Sequence, residues 1–168
     1  LKNKYIITDV TFKLTKRNHN INTSYGAIDQ ELKKNSISSP SIKDVSNAVI
    51  SIRKSKLPDP KELGNSGSFF KNPIISKAIY EKIKQLHPDI PHYNVSNTEV
   101  KVPAGWLIEQ AGFKGKRFGD AGIHKNQALV LVNYGNATGA ELLSLSKEIQ
   151  QTIYKKFGIL IDTEVNVI

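Results

Sequence analysis

Ser68 heads a run in which five consecutive residues, Ser68-Phe69-Phe70-Lys71-Asn72, set a hydroxyl, two aromatic rings, an ammonium and a carboxamide side by side. The hydroxyl and the amide can donate and accept hydrogen bonds, and the ammonium is a compact positive charge. Together they can hold a polar or anionic ligand. Gly64 and Gly67 precede them and allow backbone conformations and close ligand approach that a side chain forbids. Pro73 stops any regular structure that continues past Ser68. The segment Gly64–Pro73 reads as a binding loop held in one shape. The pattern also fits a glycine-rich turn into a short edge strand, with Phe69 and Phe70 divided between core and surface and Ser68 bonded locally to backbone.

The elements around this segment are set by hydrophobic periodicity. Tyr5–Leu14 reads as a strand, with Val10, Phe12 and Leu14 alternating against Thr11 and Lys13. Ser41 and Asp44 have the spacing of a helix N-terminal cap, and Ile42, Val45, Val49 and Ile52 carry that helix to about Ser55. Lys56-Leu57-Pro58-Asp59-Pro60 breaks it and marks a domain boundary. Ser76 caps a second helix bearing Ile79, Ile83 and Leu86, which ends at His87-Pro88. Val100–Val102 and Ala128–Asn133 read as strands, and Pro103 opens a short helix that Gly112 ends. Thr138 and Glu141 form a capping box for a helix with Leu142, Leu145, Ile149 and Ile153 on one face, closed by Gly158. Ile159–Ile161 and Val165–Ile168 read as strands. Strands and helices mix without strict alternation, so the expected class is α+β.

The whole-chain numbers narrow the function. The 168 residues suit one domain, or one domain with pieces of another. There is no cysteine, which excludes disulfides, thiolate metal sites and a cysteine nucleophile. There is also no methionine, and the chain opens at Leu1, so it reads as cut from something longer. A net charge of +9 reads first as solubility charge and second as a match for an anionic ligand, because the basic residues are scattered, densest at Lys33-Lys34, Lys114 to Arg117 and Lys155-Lys156. No basic arm with interleaved aromatics argues for nucleic acid. No apolar run argues for a membrane. The four histidines lack metal-ligand spacing. A single histidine before a strand, His124, reads as structural, and Trp106 as a core residue of the second domain.

Taken together, Lys56–Pro60, Gly64–Pro73, Ala104–Gln110, His124–Asn133 and Glu164-Val165 resemble the carboxyl-terminal half of the UDP-N-acetylenolpyruvoylglucosamine reductase family, in its order and spacing. The resemblance implies a cytoplasmic flavoenzyme of bacterial peptidoglycan synthesis. In it NADPH reduces FAD, and UDP-N-acetylglucosamine enolpyruvate is reduced to UDP-N-acetylmuramate. It implies that residues 1–57 are a remnant of an FAD-binding domain, 58–158 a substrate-binding domain, and 159–168 a strand returning to the first. FAD would be held mostly by an absent amino-terminal half, so this chain would not turn over alone. A monomer is the favoured state.

The same resemblance distributes roles. Ser68 corresponds to the proton donor and Glu164 to the catalytic carboxylate. Tyr25, Lys56, Asn72, Tyr93 and Gln127 correspond to substrate-binding positions, and Arg53 could reach a flavin phosphate. In an extended strand Glu164 and Asn166 share one face, which buries Val165 and Val167 and aims Glu164 into a cleft. Other members carry arginine where this chain has Asn166, and asparagine cannot supply that charge to a substrate carboxylate. The competing reading is a non-catalytic module binding a UDP-sugar or a protein. It has no need of both Ser68 and Glu164.

Overall fold

A computed structural model describes residues 7–167. The chain divides into two compact units, one ending at Arg53 and the other beginning at Lys54. The described residues form five helices and seven strands, an α+β mixture.

The first unit carries α1 (Ile28–Lys34) and most of α2 (Ile42–Lys56). Its core is small: Ile28, Leu32 and Ala48, flanked by half-buried Ile37, Val45, Val49 and Ile52. Ser41 caps α2 as its spacing predicts: its backbone N–H and hydroxyl both donate to Asp44, at 2.8 and 2.6 Å. These bonds hold the Asp44 carboxyl below its ordinary range. Ile42, in the first turn, is exposed.

The predicted strand Tyr5–Leu14 is not formed over its described residues, 7–14. Tyr5 and Ile6 lie outside the described residues, and residues 7–14 have no regular structure, with Val10, Phe12 and Leu14 exposed. Alternating hydrophobicity supplies a face, but a strand also needs a hydrogen-bonded neighbour, and none pairs with this segment among the described residues.

The second unit contains two antiparallel sheets. One has four strands in the order β1 (Gly64–Ser68), β7 (Val130–Asn133), β6 (Ala121–Ile123), β5 (Arg117–Phe118). The other has three: β2 (Ile74–Ser76), β4 (Glu99–Lys101), β3 (Tyr93–Asn94). Helices α3 (Lys77–Leu86), α4 (Ala104–Gln110) and α5 (Gly139–Phe157) complete it. Phe70, Leu107, Ile108, Ile123, Ile149 and Ile153 are among the most deeply buried residues of its core.

Ser76 caps α3, accepting the Ile79 N–H. The buried face of α3 is Tyr80 and Ile83, while Ile79 and Leu86 are exposed, so the predicted apolar stripe is rotated by about one residue. Thr138 and Glu141 form the full capping box of α5, and Gly158 ends that helix in the left-handed region at φ +67. The strands predicted at Ile159–Ile161 and Val165–Ile168 are not formed among the described residues. Ile159 and Ile161 are buried in the core of this unit. Their alternation comes from packing, without a ladder. No helix among the described residues is long and apolar enough to cross a membrane.

Candidate functional site

Gly64–Ser68, read as a loop from its glycines, is edge strand β1. Its register against β7 shifts between Asn65 and Ser68, where Gly67 takes φ +75. This is a β-bulge, which inserts a residue and re-aims the side chains beyond it, and glycine takes the required backbone without strain. The Asn65 side chain brackets it, accepting the Gly67 N–H at 3.1 Å and donating to the Leu63 carbonyl at 2.8 Å. Ser68 emerges exposed, opposite Val130. Phe69 and Phe70 are not divided between core and surface: both are buried, with ring centroids 5.2 Å apart in an edge contact.

The C-terminal segment runs back along these phenylalanines. The Lys71 N–H donates to the Asp162 carbonyl at 2.8 Å, Phe70 bridges Thr163, and the Glu164 N–H donates to the Phe69 carbonyl at 2.8 Å. Ser68 and Glu164 are 96 positions apart in the chain, yet each is bonded to or beside Phe69. Burial alternates as the extended reading predicts: Thr163 and Val165 are half-buried, Asp162, Glu164 and Asn166 exposed. Val167 departs from it and is exposed.

Three predicted substrate positions meet. Asn72, Tyr93 and Gln127 line one cleft of about 320 Å³, together with Gly105, Trp106 and Lys114. Asn72 also has a structural task. Pro103 precedes α4 without a capping side chain, and the Asn72 carboxamide oxygen accepts the Ala104 N–H at 2.9 Å. That bond uses the acceptor end of the amide, and the donor end is what Asn72 can offer a ligand. Gln127 is placed by the Leu129 N–H, which donates to its Oε1 at 3.4 Å. A Cβ on Gly105 would stand 3.4 Å from that same oxygen, so bare backbone here gives the cleft its width. Trp106 packs against the core and also lines the cleft, edge-on to His87 and tilted to Phe157 at 5.5 and 5.9 Å. The Phe69 N–H donates to the carbonyl of Leu129, a cleft residue, at 2.8 Å, which ties the Ser68 strand to the cleft wall.

Lys114 is a cleft residue that the spacing of the chain does not single out. In sequence it is one of several cations between Lys114 and Arg117. In the structure its neighbours are occupied elsewhere: Lys116 lies over Phe113, and Arg117 stacks 4.3 Å above Tyr134 while donating to Asp120 at 2.7 Å. The Asn136 N–H and Arg117 together hold the Asp120 carboxyl below its ordinary range. Lys114 instead pairs with Glu109 at 2.8 Å, and both line the cleft. A cation held there by a single exposed carboxylate is available to an anionic ligand.

Lys56 ends α2 and is exposed. The carbonyl of its neighbour Ser55 accepts from the Asn126 amide at 3.4 Å, and Asn126 lines the cleft. Tyr25 and Arg53 belong to the first unit, and both are exposed. His124 is buried at the end of β6, with Nδ1 lacking a hydrogen-bond partner. Burial, then the Lys125 charge, lowers its pKa.

The family described as UDP-N-acetylenolpyruvoylglucosamine reductase, C-terminal domain, matches residues 59–168. The UDP-N-acetylenolpyruvoylglucosamine reductase of Flavobacterium johnsoniae is 71% identical over the full chain, which covers 50% of that protein. The reductase of the same name from Pseudomonas syringae pv. syringae is 51% identical over 97% of this chain and 48% of its own length. The crystal structure of the Thermus caldophilus reductase superposes with a TM-score of 0.46 at 23% identity, over 75% of this chain and 34% of that one. The chain spans about half the length of the curated relatives it matches. It belongs to the UDP-N-acetylenolpyruvoylglucosamine reductase family.

Proposed function

We propose that this chain supplies the sugar-nucleotide site and the proton-handling residues of an oxidoreductase of peptidoglycan synthesis. The substrate is UDP-N-acetylglucosamine enolpyruvate, the product UDP-N-acetylmuramate, and the compartment the cytoplasm. The reading divides the chain into a flavin-domain remnant over residues 1–57 and a substrate-binding domain from residue 58. Because Ile159 and Ile161 lie in the second core, it keeps those residues with the substrate domain.

One observation supports it most. Asn72, Tyr93 and Gln127, drawn from separate segments by sequence resemblance alone, line a single cleft beside Lys114. In this reading Lys114 and Lys56 hold the diphosphate as point charges, and Asn72 and Gln127 donate hydrogen bonds. Tyr93 and Trp106 pack on the nucleotide.

Hydride addition to one alkene carbon pushes the electron pair onto the carbon beside the carboxylate, and that carbon must then take a proton. Ser68 Oγ donates it. A hydroxyl is a weak acid, so it must be fixed against the carbanion, and the Gly67 bulge together with buried Phe69 and Phe70 supplies that rigidity. The Glu164 backbone is bonded to the carbonyl of Phe69, the residue after Ser68, while neither Ser68 nor Glu164 lines the cleft of Asn72, Tyr93 and Gln127. Tyr25 closes over the ligand in this reading. FAD and NADPH are the expected source of hydride. Arg53, an exposed point charge, is the single flavin contact read from the sequence, and it does not by itself make a flavin site. No step is therefore assigned to it.

The test uses a flavin-loaded enzyme carrying this chain. Ser68→Ala leaves flavin reduction by NADPH intact in rapid mixing and stalls reoxidation by substrate. Equal loss of both half-reactions contradicts the assignment. Binding of UDP-sugar without any effect of Ser68→Ala or Glu164→Gln on turnover would favour the non-catalytic module.

A further inference from the structure

Tyr93 reaches the cleft from β3, a strand of two residues paired to β4 on one side. So short a strand does little to hold a side chain in place. Upstream, the chain is anchored at Ile90, which is buried and whose N–H donates to the His87 carbonyl at 3.1 Å. Pro91 comes next and has no N–H to offer. The residue after it, His92, is exposed, yet its ring lies against buried Tyr80, tilted by 42° with centroids 4.4 Å apart. His92 Nδ1 and Tyr80 Oη are hydrogen-bonded at 2.9 Å. Tyr80 is a fixed reference point: it is 3% exposed, on the inner face of α3, with the Lys84 ammonium 5.7 Å over its ring.

We propose that Tyr80 and His92 are positioning residues that set the orientation of Tyr93 in the cleft, through a side-chain bond that reinforces the two-residue pairing of β3 with β4. Neither touches the ligand. Tyr80 fixes His92, His92 fixes the backbone of the next residue, and Tyr93 enters the cleft at a set angle. That Tyr93 meets a nucleotide rests on the functional reading above, whereas its orientation does not.

The experiment separates the two. The chain is made with 3-fluorotyrosine, and the Tyr93 resonance is assigned by its loss in Tyr93→Phe. Tyr80→Phe keeps the buried ring and removes the hydroxyl. His92→Ala changes an exposed residue, so neither variant threatens the fold. Each is expected to move or broaden the Tyr93 fluorine resonance, and His92→Asn to restore it partly. UDP binding, followed by Trp106 fluorescence, is expected to weaken about three- to tenfold in each, the loss of one hydrogen bond. The loss should vanish in a Tyr93→Ala background. An unmoved Tyr93 resonance in both variants overturns the proposal, as does an equal affinity loss with and without Tyr93. If the resonance moves but the unaltered chain does not respond to UDP, positioning stands and the nucleotide reading falls.

Discussion

Glu164 is pinned to Phe69: its N–H donates to the Phe69 carbonyl at 2.8 Å, one residue from Ser68. Phe70 is the pivot of this crossing. It is 1% exposed and bridges Thr163, between the bonds made by Phe69 and Lys71. Phe70→Ala should cost about 3–5 kcal/mol, the usual range for emptying a buried aromatic site. Urea denaturation measures it, and a loss within experimental error would mean that the crossing does not depend on this ring.

Lys114 is expected to carry the charge recognition of the cleft. Lys114→Ala should weaken UDP binding about tenfold, as removal of a charged hydrogen bond does, and leave uridine binding unchanged. Glu109→Gln should act in the opposite direction, because it releases the ammonium from its ion pair. Titrations of both ligands at two salt concentrations decide this. Equal losses for UDP and uridine would remove Lys114 from phosphate recognition.

Gly105 separates stability from binding. A methyl there meets Gln127 Oε1 and Leu129 Cγ at 3.4 and 3.5 Å, ordinary contact distances. Gly105→Ala should therefore stabilise α4 by about 0.5–1 kcal/mol through helix propensity. UDP affinity should fall at the same time, since the methyl occupies cleft space beside Gln127. Thermal melting and a fluorescence titration on one sample read both, and a parallel fall in the two would show that the cleft has no spare width.

His124 gives the second unit a pH dependence of definite sign. Burial holds the folded ring's pKa below the ordinary 6.5. Below that value the unfolded chain binds a proton that the folded chain refuses, so stability falls as pH drops and recovers as it rises. Since Nδ1 has no hydrogen-bond partner in the fold, His124→Leu removes no bond there and should flatten this slope. Chemical denaturation across the mildly acid range tests it, and an unchanged slope in the variant assigns the dependence elsewhere.

The local rules that succeeded are those written in adjacent residues. The caps at Ser41, Ser76 and Thr138 and the stop at Gly158 form as their spacing predicts, because each is made within one helical turn. The strand readings failed where alternation had no partner, at residues 7–14 and 159–161, and after those the pairing with Phe70 is a single bridge at Thr163. A strand is made by its neighbour, which periodicity does not supply.

The site divides along the same line. Residue identity and order were enough for the family, a one-dimensional fact, and they are what nominate Ser68, Asn72, Tyr93, Gln127 and Glu164 for the proposed site. Which of these residues meet was settled in three dimensions. The Gly67 bulge re-aims Ser68, the antiparallel return of residues 162–164 carries Glu164 to Phe69, and the ion pair with Glu109 on α4 keeps Lys114, rather than Lys116 or Arg117, at the cleft. A side chain's direction depends on backbone torsion and on contacts between residues far apart in the chain, and neither is written in spacing.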